Sequence, residues 1–161
     1  KTIIITNIQK KELEYDKVTG FLNKAKFLSD IEKTNDIPTS IMILRITNIW
    51  YINIWYSHEL WDKYLAQVAS ILEKKLSPIV NTFYRWNGAN FMLNLKTGFS
   101  KEEIEKYISD LSLEQVLLKT TLKSNSGLLI KAKYDFKLNL FKKNQNSKDI
   151  FEILLAYKKE E

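Results

Sequence analysis

The chain has 161 residues, of which 45% are hydrophobic and 27% charged, and this fits one globular domain with a full core. It contains no cysteine, which excludes disulfides and thiolate metal sites and fits a reducing compartment such as the cytoplasm. No apolar run approaches the roughly 18 residues of a membrane span, and no signal peptide is recognisable. The net charge of +6 is spread along the chain and interleaved with glutamate, which favours a solvated surface over a nucleic-acid-binding patch.

The first residues form a segment of their own. The chain begins without an initiator methionine, so we expect a piece of a longer protein. Apolar residues in this segment are compatible with a helix, although Ile3–Ile5 fits an extended segment equally well. We assign residues 1–15 to an upstream linker helix and residues 16–161 to the domain.

The run Asp16–Lys24 predicts a turn followed by a helix. Gly20 can take the positive φ that a tight turn requires, and Asn23 is a residue type that caps helix N-termini. Apolar residues then recur at core spacing, so a helix is expected from Lys24 to Thr34.

The next apolar run, Ser40–Ile46, predicts a strand that is buried on both faces. Arg45 is the exception, because an ionised guanidinium in a buried strand is costly unless it is paired. We therefore expect Arg45 to lie at the mouth of the strand in a cleft or to contact an anion. An aromatic cluster, Trp50–Trp61, follows and is interpreted as core or interface.

Trp61–Leu76 reads as an amphipathic helix that ends before Pro78. Two apolar runs then flank Asn87-Gly88, and this pair predicts a β-hairpin whose type I′ turn is centred on these two residues.

Further elements follow along the chain. Ser100 and Glu103 form a capping-box pattern for a helix to about Leu111. Leu113–Leu118 is ambiguous, and Leu128–Ala132 predicts a strand that can extend to Phe136. Ser147 is expected to cap a last helix. This alternation predicts a layered α/β domain.

Two motifs carry a resemblance to a known family. Arg85–Phe91, read Arg-Trp-Asn-Gly-Ala-Asn-Phe, resembles the signature hairpin Arg-Tyr-Gly-Gly-Asp/Glu-Glu-Phe of the GGDEF (diguanylate cyclase) family. Asp16–Lys24 resembles the opening motif of that family, Asp-x-Leu-Thr-Gly-Leu-x-Asn-Arg. The resemblance implies an α/β (α+β) fold similar to nucleotide cyclases and polymerase palms. Its central, mostly antiparallel sheet of about five strands is flanked by helices.

The resemblance also implies a degenerate catalytic site. Family cyclases hold two divalent metals with the first strand Asp and the last acid of the signature, and these positions are Arg45 and Asn90. The other motif positions that we regard as eroded are Thr47, Asn87, Gly88 and Ala89. Mg²⁺ prefers anionic oxygens, and the two replacements change the formal charge by about three units. We therefore predict no Mg²⁺ site, no catalytic residue and no diguanylate cyclase activity.

Nucleotide binding is implied at positions that the family uses to recognise guanine, Asn53 and Asp62. A carboxylate and an amide can accept and donate the hydrogen bonds of a guanine edge. Arg45 can pair with phosphate in place of a metal. The alternative is that Asn53 is a turn residue and Asp62 an acid near a helix start.

Two further family positions do not indicate a binding or catalytic role in this chain. The inhibitory product site of the family falls on Pro78–Asn81 without its polar residues, so cyclic di-GMP is not expected there. His58 aligns with the motif histidine and is interpreted as structural.

Our preferred hypothesis is a catalytically inactive regulatory domain of a larger bacterial cyclic di-GMP signalling protein. It binds GTP allosterically or mediates dimerisation, beside an EAL phosphodiesterase or sensor domain. The alternatives are a ligand-free protein-interaction module that uses Trp50–Trp61, an active cyclase, which the missing carboxylates disfavour, and a nucleic-acid binder, which only charge and aromatics suggest. We expect a cytoplasmic location, with membrane anchoring of the full-length protein left open.

Overall fold

The structure is a computed structural model that describes residues 13–33, 39–48, 58–118, 128–141 and Glu152. Three helices have both ends in these residues: α1 (Lys24–Lys33), α2 (His58–Leu76) and α3 (Lys101–Leu111). The strands are β1 (Thr39–Ile46), β2 (Val80–Asn87), β3 (Asn90–Leu95), β4 (Gln115–Leu118), β5 (Leu128–Lys131) and β6 (Tyr134–Phe141). Four strands form an antiparallel sheet in the order β2-β3-β1-β6, and β4 and β5 form a separate two-stranded sheet.

Strand β1 lies inside the sheet and is covered on both faces. Met42 and Leu44 pack in the cluster that contains α2 and α3, whereas Ile41 and Ile43 pack in a second cluster with Phe27 of α1. The alternation follows from the pleat, which points successive side chains to opposite faces. This explains the uninterrupted apolar run in the sequence and confirms the prediction of a doubly buried strand.

Helix α2 supplies the largest part of the first cluster. Its buried residues recur three and four positions apart, as expected for one face of a helix. They are Leu60, Tyr64, Leu65, Val68, Ala69, Leu72 and Leu76. Trp61, which was grouped with the aromatic cluster, is partly buried against this core.

Local sequence signals fix the start of two helices. Gly20 has φ +76°, and the Asn23 side chain accepts a hydrogen bond from the Lys26 N–H at 2.9 Å, so the predicted turn and cap of α1 are confirmed. Ser100 accepts from the Glu103 N–H at 3.2 Å, which caps α3 as predicted. Both caps satisfy backbone donors that the first helical turn leaves unpaired.

The outer edge of β2 is covered by a single residue. Leu22 donates its N–H to the Phe83 carbonyl at 3.2 Å and accepts the Arg85 N–H at 2.8 Å. These bonds form a parallel bridge between Leu22 and Tyr84. The segment that precedes α1 is thereby attached to the strand that leads into the hairpin.

The predicted fold class is confirmed, with corrections to single elements. The main sheet has four strands in the described residues rather than about five, and the ambiguous segment forms β4. The hairpin turn is shifted by one residue, because Asn87 pairs with Asn90 and the loop is Gly88-Ala89. The strand expected from Leu128 breaks after Lys131, and the chain resumes as β6 in the other sheet.

Several predictions fall outside the described residues. These are most of the linker helix in residues 1–15, the aromatic cluster up to Tyr56 and the helix after Ser147, of which only Glu152 is described. The division into 1–15 and 16–161 stays a prediction. None of the helices in the described ranges combines the length and the apolar character that a bilayer span requires.

The cap of α3 can be tested by substitution. Ser100→Ala should lower the free energy of unfolding by about 1 kcal/mol, because the Glu103 N–H loses its acceptor. Urea unfolding measures the change. The matched control is Ser70→Ala, at an exposed site inside α2, where alanine should be neutral or slightly stabilising. Equal effects at the two positions would contradict the cap.

Candidate functional site

Three polar residues form a row across the sheet near the end of β1. Arg45 of β1 lies opposite Asn90 of β3 on one side and opposite Asp135 of β6 on the other. Arg45 shares a face with Ile43, two residues away, and this face is the one that α1 covers. The register therefore brings together two of the predicted site residues, Arg45 and Asn90, and adds an acid.

Arg45 meets its anion within the sheet. Its Nη2 lies 3.3 Å from Oδ2 of Asp135, with the two side chains 27% and 55% exposed. This partner and the position one residue before the end of β1 explain how a guanidinium is tolerated in the strand. Because the pair is solvent-accessible and has one long contact, it is worth only about 0–1 kcal/mol.

The hairpin turn beside this row is closed by amides rather than acids. Nδ2 of Asn90 donates to Oδ1 of Asn87 at 2.8 Å. Oδ1 of Asn90 is buried and lacks a hydrogen-bond partner among the described residues. Gly88 has φ +45°, and the Ala89 carbonyl accepts the Ile46 N–H at 3.1 Å, which attaches the turn to the end of β1.

Arg85 fastens the turn to the opening motif. Its Nη1 lies 3.0 and 3.1 Å from the two carboxylate oxygens of Asp16, and its Nε and Nη2 donate to the Gly88 carbonyl at 3.2 and 3.1 Å. The Asp16 contact is largely buried, with the side chains 14% and 20% exposed. The two family-like motifs of the sequence are therefore in direct contact.

Asp16 is held in its ionised form. Burial alone raises the pKa of Asp16, but hydrogen bonds from the Thr19 hydroxyl and N–H, together with the Arg85 charge, outweigh it. The net result is a pKa below the ordinary value of 3.8.

The residues after β1 are attached to the segment that joins β5 and β6. The Thr47 N–H donates to the Lys133 carbonyl at 2.8 Å, and the Thr47 hydroxyl lies 3.3 Å from the same atom. The Asn48 amide donates to the Lys131 carbonyl at 2.6 Å and accepts the Lys133 N–H at 2.9 Å. Two exposed lysines thus lie beside the end of β1.

An open groove of about 540 Å³ lies between α1 and the hairpin turn. Trp86 and Lys24 both line it, with the Lys24 ammonium 4.3 Å from the centre of the Trp86 ring. Trp86 is only 6% exposed. The groove therefore presents a cation and the amide of Asn87, rather than a free aromatic face on which a base could stack.

The other predicted site residues are more scattered. Asp62 is exposed in the first turns of α2, and its side chain forms no hydrogen bond or ion pair within the described residues. Asn53 lies outside the described residues. His58 is the exposed first residue of α2. At the positions of the family's product site, Pro78 and Asn81 are exposed, whereas Ile79 and Val80 are buried in the core.

The residues at this end of β1 do not fit a divalent cation. The row contains one cation, one neutral amide and one carboxylate that is already paired, whereas Mg²⁺ requires several oxygen ligands. No group of three or more His, Cys, Asp or Glu that could hold a metal occurs among the residues described. The guanidinium would repel a metal ion at this position.

Asp135 is the residue that sequence reasoning missed. It is the only acidic residue from Leu128 to Leu140. Because Arg45 required an anion, an acid on another strand of the same sheet was the signal to look for. The lysines at 131 and 133 were missed because their role depends on a non-local attachment to Asn48.

Comparison with known families gives one match. The family model "Diguanylate cyclase, GGDEF domain" matches residues 13–136. The match includes both sequence motifs and all residues of the row. A search of the curated proteins gives no match to this chain.

Solved structures are similar in fold. The GGDEF domain of FimX from Pseudomonas aeruginosa has 16% identity and a TM-score of 0.66, over 86% of this chain and 87% of that one. A diguanylate cyclase/phosphodiesterase from Caldicellulosiruptor saccharolyticus has 17% identity and a TM-score of 0.66, over 89% of this chain and 83% of that one. The coiled coil and GGDEF domain of DgcB from Caulobacter crescentus, in complex with c-di-GMP, has 17% identity and a TM-score of 0.66. The match covers 89% of this chain and 77% of that one. At these identities the likeness shows the fold alone.

The comparisons correct one prediction. We predicted that the chain is not an enzyme, and this is wrong, because the family model that it matches is that of diguanylate cyclase. Different residues at Arg45 and Asn90 do not by themselves demonstrate loss of activity.

The Asp16–Arg85 contact predicts a pH-dependent stability. Asp16→Asn should lower the free energy of unfolding by roughly 1–3 kcal/mol at neutral pH, because a charged hydrogen-bond partner is lost. The folded-state pKa is lowered from 3.8, so this contribution is fully present above that value and is lost as the pH falls through the folded-state pKa.

Urea unfolding of both proteins from about pH 7 to about pH 3 measures the difference. It should shrink on acidification. Asp110→Asn, an exposed aspartate near the end of α3, is the matched control and should be close to neutral. A difference that stays constant over the whole pH range would contradict the assignment.

Proposed function

The chain belongs to the GGDEF family, and from this premise we propose that it is a regulatory domain of cyclic di-GMP signalling that binds a guanine nucleotide. The binding needs no divalent metal, because Arg45 contacts the phosphates. Family membership supports the signalling context, and the geometry at the end of β1 supports the mode of binding.

The observation that carries the proposal is the position of the Arg45 guanidinium. It lies where the sheet and the signature hairpin meet, it is partly accessible, and its ion pair with Asp135 is weak and exposed. A guanidinium binds phosphate through charge-assisted hydrogen bonds, so it can supply part of the neutralisation that a metal gives elsewhere.

Recognition of the base is proposed for Asp62 and Asn53. An exposed carboxylate can accept hydrogen bonds from the N1–H and the 2-amino group of guanine, and an amide can complete the edge. Adenine presents no donor at its position 1 and no 2-amino group. We therefore expect GTP to bind more tightly than ATP, and Asp62→Asn to reduce that preference.

The regulatory output is proposed to reach a neighbouring element, either an EAL or sensor domain of the same chain or a second copy of this domain. Cyclic di-GMP is the second ligand to test, since the DgcB structure that this chain resembles contains it. The cytoplasmic location remains part of this proposal.

Calorimetric titration tests the proposal. The protein should bind GTP in the presence of EDTA, and Arg45→Gln should weaken the binding roughly tenfold, because one charge-assisted contact is lost. Lys106→Gln, on the exposed face of α3, is the matched control and should leave the affinity unchanged.

Three results would contradict parts of the proposal. Binding that appears only with Mg²⁺ would exclude Arg45 as the replacement for a metal. Equal affinities of the wild type and Arg45→Gln would remove Arg45 from the site. Failure to bind any guanine nucleotide would favour a ligand-free interaction module. Assay of cyclic di-GMP in the same samples shows whether bound GTP is also converted.

A further inference from the structure

We infer that the end of β1 is a phosphate site formed by Arg45, Lys131 and Lys133, in which Asp135 acts as an internal competitor for Arg45. The inference deepens the proposed function and rests on it. It adds two lysines to the site and assigns a role to the acid of the row.

The first step is the charge at this edge of the sheet. Asn48 brackets the β5–β6 connection with hydrogen bonds of 2.6 Å to the Lys131 carbonyl and 2.9 Å from the Lys133 N–H. Both lysines are exposed. Among the described residues, the backbone joined by these bonds therefore carries three cations, Arg45, Lys131 and Lys133, and one carboxylate, Asp135, so the net local charge favours an anion.

The second step is how firmly these groups are positioned. The backbone that follows Arg45 is bonded on one side to the Ala89 carbonyl at 3.1 Å and on the other to the Lys133 carbonyl at 2.8 Å. The hairpin turn, the end of β1 and the start of β6 are therefore one hydrogen-bonded unit. An anion bound here would meet side chains whose backbone is already held in place, so only the side chains have to be ordered on binding.

The third step is the role of Asp135. Its contact with Arg45 is a single one of 3.3 Å, and the carboxylate is 55% exposed. A polyphosphate offers more charge and more acceptors than this carboxylate, so it should displace Asp135 from the guanidinium. Asp135 then opposes binding twice, because it occupies Arg45 in the free protein and repels the phosphates in the complex.

The test uses GTP and inorganic triphosphate as ligands, titrated in EDTA against the whole chain. Asp135→Asn should bind both about threefold more tightly, the gain expected from removing one exposed ion pair. The double variant Lys131→Gln/Lys133→Gln should bind both about fivefold more weakly, and the loss should fade at high salt.

Each variant has a control with the same change of charge. Asp110→Asn is compared with Asp135→Asn, and Lys101→Gln/Lys106→Gln on α3 is compared with the lysine pair. Urea unfolding of every variant shows that a changed affinity does not come from a changed fold. The effect of Asp135→Asn should shrink when Arg45 is already glutamine, because the competition is then removed and only the repulsion remains.

The outcomes separate the two proposals. If the wild type binds GTP but the Asp135 and lysine variants behave like their controls, the phosphate site is wrong and the proposed function stands. If Asp135→Asn tightens binding equally with and without Arg45, simple repulsion replaces the competition. If no variant binds GTP or triphosphate, both proposals are overturned.

Discussion

A charged residue in a strand buried on both faces is the constraint around which this domain is arranged. All residues from Ile41 to Ile46 except Arg45 are in the core. Arg45 is therefore acceptable only near the strand end and only beside an anion. The antiparallel register supplies both conditions, because it places Asp135 opposite Arg45 and the signature turn on the other side. The pair contributes little stability and is neutral as a whole, so the charge at this end of the sheet depends on the exposed lysines at 131 and 133.

The elements that the sequence predicts well are those whose signals are local. The cap at Asn23, the cap at Ser100 and the run of β1 each depend on a few adjacent residues and the period of the element. The turn was displaced by one residue because an Asn-Gly pair predicts a turn without specifying the register, and a β-bulge between Arg85 and Asn87 changes it. The break before Tyr134 depends on which sheet each strand joins, a non-local choice.

The candidate site was predictable to the extent that motifs mark positions. Arg45 and Asn90 could be brought together from the sequence, since both fall at recognisable places in a resemblance. Asp135 and the two lysines could not, because they follow the last matched motif and reach the site only through pairing across the sheet. The mistaken inference about activity has the same origin. It inferred the activity from the residue types at Arg45 and Asn90 alone, whereas catalytic activity depends on all the groups that the fold brings to the site.

The bridge made by Leu22 has a consequence for how the protein behaves in concentrated solution. An open strand edge is a template on which another chain can add by main-chain pairing, and this is a common route to aggregation. Along β2, the Phe83 carbonyl and the Arg85 N–H, which could otherwise pair with an added strand, are already bonded to Leu22. Among the described residues β6 is the opposite edge, and it presents charged side chains, Asp135 and Lys137, which discourage pairing with another strand. A fragment that begins after Leu22 loses the first of these protections, so the few residues ahead of α1 keep the sheet from growing.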